Sequence, residues 1–232
     1  MNGMPTALIT GGTSGIGLAL AQRLAGGHCL VLTGRGDGAG LPVDALFVKA
    51  DLSRPEEAVE TVASALRSAG VSSLSKLILN AGTGTYAQAD AEDAATIRRT
   101  LDVNLVASVL MAHRLAPLLE EGRGRLVLIG SVAHRGSANM PSYAASKAGL
   151  TGLARSLRAE WDGRIGVQII HPGPTRTPMH EKAGYDPGGL EKMFFSADAM
   201  ADEVARLMET GRPGATVIFG ARIRRLLTGK PS

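Results

Sequence analysis

Apolar residues cluster in short runs along the chain: Ala7-Leu8-Ile9, Cys29–Thr33, Ala45–Ala50, Lys76–Leu79, Arg125–Gly130, Ile165–Ile170 and Ala215–Phe219. These runs are too short for helices and show little polar alternation, which is the pattern of strands buried on both faces of a parallel sheet. Helical periodicity fills the gaps over Leu18–Ala25, Ser53–Ala69, Asp90–Leu119, Tyr143–Trp161 and Ala197–Glu209. Ser53 as N-cap, Pro55 and Glu56-Glu57 open the second of these, and Gly70 closes it. In the third, Leu101, Leu105, Val109, Ala112 and Leu115 fall on one helical stripe. Strands alternating with helices predict an α/β fold: a doubly wound, mostly parallel seven-stranded sheet with helices on both faces. Gly36 to Asp44 breaks the alternation, being too short and too rich in glycine for a helix, so the second crossover is shortened. No repeat or linker divides residues 1–232, which read as one domain. The irregular stretch at 178–196 is the candidate substrate lid.

Composition agrees with a packed core, at 44% hydrophobic and 20% charged residues, and aromatics at 3% make that core aliphatic. A net charge of +4 is too mild to argue for nucleic acid, and no Lys/Arg run is interleaved with aromatics. The densest basic cluster, Arg222-Ile-Arg224-Arg225, reads as a solvated or inter-subunit segment. A lone Cys29 excludes an internal disulfide and suits a reducing compartment. No Cys/His cluster has zinc-ligand spacing, so no metal is expected. No signal core opens the chain and no apolar stretch approaches the ~18 residues of a membrane helix. The expectation is a cytoplasmic protein without a membrane partner.

Chemistry gathers where the apolar runs end. Tyr143 and Lys147 are four apart, so a helix stacks them on one face. A phenol titrates near ~10, and a cation beside it favours the phenolate. Lowering it by about three units takes roughly 4 kcal/mol, which one cation at ~4 Å supplies only where water is partly excluded. Ser131 ends the Leu126-Val127-Leu128-Ile129 run and can face the start of that helix. The first run ends in Thr10-Gly11-Gly12-Thr13-Ser14-Gly15-Ile16-Gly17, a strand–turn–helix context in which glycines let backbone approach a pyrophosphate. Such turns also close ordinary βα units without a ligand. The second run ends Thr33-Gly34-Arg35, with a cation and no acid at the position that reads the adenosine ribose, which favours NADP(H) while leaving NAD(H) possible. Asp51-Leu52, Asn80-Ala81-Gly82 and Pro172-Gly173 end three further runs, and Thr175 and Thr177 follow the last. Asn104 lies within an apolar stretch and is either a satisfied structural amide or a site residue. His134 near Ser131 suggests a hydrolase, but there is no G-x-S-x-G elbow.

In this order and spacing the motifs closely resemble the short-chain dehydrogenase/reductase family in its compact, Rossmann-like form. The resemblance implies that backbone around Ser14 to Ile16 holds the pyrophosphate, Asp51 meets the adenine amino group and Asn80 the adenosine-side ribose. It implies that Lys147 bonds the nicotinamide ribose and keeps Tyr143 acidic, while Thr175 and Thr177 fix the carboxamide. It also implies that Asn104 holds a water feeding protons to Lys147, and that the chain forms a homodimer or homotetramer through the Leu101 and Tyr143 helices. The activity implied is hydride transfer between NADP(H) and a small-molecule carbonyl or secondary alcohol, with Tyr143 as general acid/base and Ser131 bonding the reacting oxygen. A non-catalytic NADP(H)-binding protein on the same fold is the alternative, and the intact Asn104, Ser131, Tyr143 and Lys147 argue against it.

Overall fold

Along each central strand, alternate side chains enter two different cores. In the computed structural model, which describes residues 3–41, 43–179, 183, 184, 186 and 188–218, Leu8, Val31, Leu77, Leu126 and Leu128 face one side. Their neighbours Ala7, Ile9, Leu32, Ile78 and Val127 face the other. The strands are β1 (Thr6–Thr10), β2 (Cys29–Gly34), β3 (Leu46–Lys49), β4 (Lys76–Leu79), β5 (Arg125–Ile129) and β6 (Gly166–Pro172). Two short strands, β7 (Thr175–Arg176) and β8 (Phe195–Ser196), pair with each other, and β9 (Gly214–Val217) completes the main sheet. The main sheet runs β3-β2-β1-β4-β5-β6-β9 and every pairing in it is parallel, more uniform than the mostly parallel sheet expected. Register is tight at the centre, with Leu8 opposite both Val31 and Leu77.

Helices α2 (Pro55–Ser68), α4 (Ala107–Glu121) and α5 (Pro141–Glu160) cover the first face; α1 (Gly15–Leu24) and α6 (Ala197–Glu209) cover the second. Arg23 ties α1 to α6 through Asp202 at 2.6 Å and Asp198 at 3.3 Å. These pairs are exposed enough to be worth little; the apolar faces hold the layers, each fully buried Leu contributing about 1.5–3 kcal/mol. Strand order reverses between β1 and β4. Their carboxyl ends therefore diverge and open a crevice, the place where such sheets bind ligands.

Several boundaries differ from the sequence reading. α1 begins at Gly15 rather than Leu18, so the last glycines of the turn form its first helical turn. Ser53 does not cap α2; Arg54 occupies that position, and the Ser53 N–H bonds Asp51 Oδ1 in a local turn. Among the described residues no helix joins β2 to β3, as expected from Gly36–Asp44. Phe219, the Arg222–Arg225 cluster and, within 178–196, His180–Lys182, Tyr185 and Pro187 lie outside the described residues.

The largest difference is in the 90–119 region. Asp93 caps α3 (Ala94–Leu101) by accepting from the Thr96 N–H, and a π-turn over Asp102–Val106 links α3 to α4. There Ala107 N–H donates to Asp102 O, five residues back. One surplus residue rotates all later turns of the run by roughly 100° relative to a continuous α-helix. Leu101, before the turn, is half-exposed; after it Leu105 and Val109 are too, while Asn104, Ala107, Ser108, Met111, Leu115 and Leu119 face inward. The whole run Ala94–Glu121 is long and apolar enough to cross a membrane by length and composition alone, a test that the core helix of a folded domain also passes. Met111, Ala112, Leu115 and Leu119 of that run pack into the first core.

Candidate active site

The glycine-rich turn is built by close backbone approach. Thr10, buried at the end of β1, accepts at Oγ1 from the N–H groups of Asn80 (3.0 Å) and Ala81 (3.1 Å). Asn80 Nδ2 returns two bonds, to Thr10 O (3.0 Å) and Gly11 O (3.3 Å). A Cβ at Gly17 would sit 2.3 Å from Gly11 O and 2.5 Å from Asn80 Nδ2, so only glycine fits there. Gly15, at φ +54, brings the turn to the opposite wall, where its Cβ would meet Thr177 Cγ2 at 3.2 Å. Ser14 at the α1 N-cap makes no side-chain capping bond. The first amides of α1 thus lack that side-chain partner at the crevice, a donor set that fits a pyrophosphate.

At the adenosine end, Arg35 and Asp51 are exposed, and the missing β2–β3 helix leaves this end open. The Ser53 N–H holds the Asp51 carboxyl below its ordinary range, with Arg35 and Arg99 adding to the effect. Arg99, on α3, borders the cleft here. Sequence reading missed it, since one arginine on an amphipathic helix carries no signal until the fold places it.

The other end is polar chemistry inside the protein. α5 carries Tyr143, 7% exposed, and Lys147, 3% exposed. Glu92, itself buried, anchors the start of that helix by accepting from Ser142 N–H at 3.3 Å and from Ser142 Oγ. Ser131 leaves β5 in extended conformation and caps a short 3₁₀ turn, Val132–Arg135, its Oγ accepting from Ala133 N–H at 3.1 Å. The Ser131 hydroxyl also faces the Tyr143 phenol and favours its ionised form. Lys147 Nζ donates to Ile129 O at 2.9 Å and lies 5.7 Å from the Tyr143 ring centroid.

Burial pushes the Tyr143 phenol above its ordinary value, with Ser131 opposing, and lowers Lys147 to about 8. The sequence reading expected an ammonium to depress the phenol. Here burial is the largest influence and raises the phenol, Ser131 opposes it, and Nζ bonds a carbonyl instead. The resting tyrosine is a protonated acid.

Asn104 is fully buried and its amide is well used. Oδ1 accepts from Thr83 N–H (2.8 Å), and Nδ2 donates to Thr83 O (2.8 Å) and Ser146 Oγ (2.9 Å). The amide is thus satisfied structurally, fixing the Thr83 backbone against α5. Its Oδ1 and Lys147 Nζ border the same space over Gly82, where an added Cβ would lie 3.5 Å from each.

A single cleft of about 650 Å³ joins the two ends. Of the residues singled out from the sequence around the site, Thr10, Gly12, Gly17, Asn104 and His134 do not line it, and the other candidate cofactor-binding and catalytic residues do. Beyond Tyr143 the cleft is bordered by Tyr86, Met140, Met179 and Phe194.

A parallel sheet with a phosphate-ready turn at its switch point and a buried tyrosine–lysine pair beside it defines a dinucleotide-binding oxidoreductase fold. The family model described as short chain dehydrogenase matches residues 5–187, and the chain belongs to that family. The 3-oxoacyl-(acyl-carrier-protein) reductase MabA of Mycobacterium tuberculosis (strain ATCC 25618 / H37Rv) is 34% identical over 176 residues, covering 74% of this chain and 70% of that protein. Short-chain reductase protein NovJ of Streptomyces niveus is 28% identical over 238 residues, covering 93% and 86%. A short-chain dehydrogenase from Sphingobium yanoikuyae, solved in complex with NADPH, superposes with a TM-score of 0.79 at 28% identity, over 97% of this chain and 93% of that one.

Proposed function

We propose that this oxidoreductase transfers hydride between NADP(H) and the carbonyl or secondary alcohol of a small molecule, with Tyr143 as general acid/base. One observation carries the reading: the Ser131 hydroxyl, Tyr143 phenol and Lys147 amine converge on one end of a cleft whose other end holds Arg35. Bound NADPH supplies the hydride. The amides of α1 receive its pyrophosphate, Arg35 its 2′-phosphate, and Lys147 its nicotinamide-side ribose. The NADPH complex of the Sphingobium relative supports this assignment of the cofactor.

In the reductive direction Ser131 donates to the carbonyl oxygen and Tyr143 passes its proton to the developing alkoxide; the pKa raised by burial keeps that proton in place beforehand. A positioned proton donor contributes about 10²–10⁴-fold. A water over Gly82, between Asn104 Oδ1 and Lys147 Nζ, would refill the proton. Cofactor and substrate positions share one sheet edge, so the chain acts as one domain with 178–196 as its lid. We propose, further, a cytoplasmic homodimer or homotetramer.

The test is loss of NADPH or NADH absorbance across ketones, aldehydes and 3-oxo esters, with Tyr143→Phe in parallel. The wild type should turn over at least one carbonyl, and the variant should bind NADPH normally and turn over none. Tight NADPH binding without turnover of any carbonyl would favour a non-catalytic cofactor-binding protein.

A further inference from the structure

Two imidazoles share the carbonyl of Ser131. His134 Nδ1 lies 2.7 Å and His171 Nδ1 3.1 Å from Ser131 O, and the His134 backbone N–H adds a third approach at 3.1 Å. The rings stack with centroids 3.9 Å apart and planes 27° from parallel. His171 sits at the end of β6 and is 6% exposed; His134 comes from the 3₁₀ turn after β5. A carbonyl oxygen only accepts, so each ring carries its hydrogen on Nδ1. Gly130 makes room for the arrangement, since a Cβ there would lie 2.4 Å from His171 Nδ1 and 2.8 Å from Cε1.

We propose that His134 and His171 are positioning residues for Ser131, clamping its carbonyl so that its hydroxyl holds one rotamer aimed at the substrate oxygen. The clamp acts on the Ser131–Val132 peptide. That peptide fixes the 3₁₀ turn, whose Ala133 N–H occupies one lone pair of Ser131 Oγ at 3.1 Å. With that lone pair taken and the backbone held, the hydroxyl proton is left to the Tyr143 side. Neither ring need touch cofactor or substrate. Displacement of a reacting group by about an ångström can cost on the order of 10²-fold in rate, which is the scale on which a loosened Ser131 matters.

The surroundings of His171 favour its neutral form. His171 faces His134 and Arg135 from the 3₁₀ turn and Lys147 from α5. Burial first, then His134, brings His171 down to about 4, against the Ser131 carbonyl which raises it. Near neutral pH the ring is therefore uncharged, with its Nδ1–H toward the Ser131 carbonyl.

The inference rests on the reading of Ser131 as donor to the substrate oxygen, and the experiment separates the two. Ethyl 3-oxobutanoate serves as the carbonyl probe, with NADPH binding followed by cofactor fluorescence. His171→Leu should lower kcat by roughly 10–100-fold with NADPH affinity unchanged. His171→Asn, which keeps an N–H donor, should recover to within about threefold of wild type with an unaltered kcat–pH profile. In a Ser131→Ala background, His171→Leu should cause less than about a twofold further loss, because its effect runs through Ser131. Independently of any substrate, ¹⁵N spectra of histidine-labelled protein at pH 7 should show His171 as the Nδ1–H tautomer. An Asn variant as slow as the Leu variant overturns the clamp, as does an undiminished His171→Leu loss on Ser131→Ala, or an Nε2–H tautomer. Full activity of Ser131→Ala itself would instead overturn the role given to Ser131.

Discussion

The two walls of the cleft are made by opposite means. The glycine-rich wall, from Gly11 to Gly17, is shaped by side chains that are missing: Gly17 has a carbonyl 2.3 Å from where a Cβ would be. The wall across from it, Ser131, Tyr143 and Lys147, is shaped by polar side chains drawn into the protein and satisfied there one bond at a time. The first is rigid because nothing else fits, whereas the second is held against a desolvation penalty that raises the tyrosine and lowers the lysine. Binding geometry is thus set by sterics and reactivity by electrostatics, and the two should fail separately.

Tyr143→Phe should show the largest effect, a loss of about 10³-fold or more in turnover with NADPH affinity and Tm little changed. Gly17→Ala attacks the other wall. Its methyl has backbone on one side and Asn80 on the other, so it should cost about 3 kcal/mol, lower Tm by roughly 6–12 °C and weaken NADPH binding. If Gly17→Ala bound NADPH normally but lost turnover, the division between the walls would be wrong.

Lys147 sharpens the electrostatic half. Its folded value, about 8, lies below its ordinary 10.5. Between those pH values the unfolded chain holds the proton and the fold does not, so this group makes stability rise with pH there. Below about 8 the penalty is complete, on the order of 3 kcal/mol. Lys147→Met should therefore be inactive yet more stable than wild type at pH 7, less the lost bond to Ile129 O, and the gain should fade as pH rises toward 10.5. Thermal melts at pH 7 and pH 10 read the difference directly.

Arg35→Ala removes one charged contact from the open end. The dissociation constant for NADPH should rise about 10–100-fold and that for NADH by less than threefold, as titration calorimetry would show. Equal shifts for both cofactors would mean that Arg35 reads no phosphate. The smallest change expected is from Glu92→Gln, which keeps hydrogen bonds to Ser142 but removes the charge at the start of α5. It should lower Tm by roughly 1–4 °C with kcat nearly intact.

Much of the glycine wall is legible in the sequence because glycines announce themselves, and the strand–turn–helix context places them at a sheet edge. Tyr143, Lys147 and Ser131 are legible for a similar reason, their spacing fixing them on a helix and at a strand end. What the sequence hides is context. Nothing local tells that Thr10 anchors Asn80 and Ala81, that Glu92 reaches α5 from fifty residues away, or that His171 stacks on His134. These pairings depend on strand order. The direction of the Tyr143 shift runs against the sequence expectation for a related reason: spacing gives the neighbour of a phenol, whereas desolvation depends on everything packed around it.

The π-turn at Asp102–Val106 has a consequence for how such a chain can change. It works as a frame setting, since one extra residue decides which side of a 28-residue helical run looks inward. Replacing half-exposed Leu105 or Val106 alters local contacts, but deleting either would restore α-helical spacing and turn Met111, Leu115 and Leu119 away from the core relative to α3 and Asn104, whatever residues remained. At this place, the number of residues is under stricter control than their identity, and a single-codon deletion is a heavier lesion than almost any substitution.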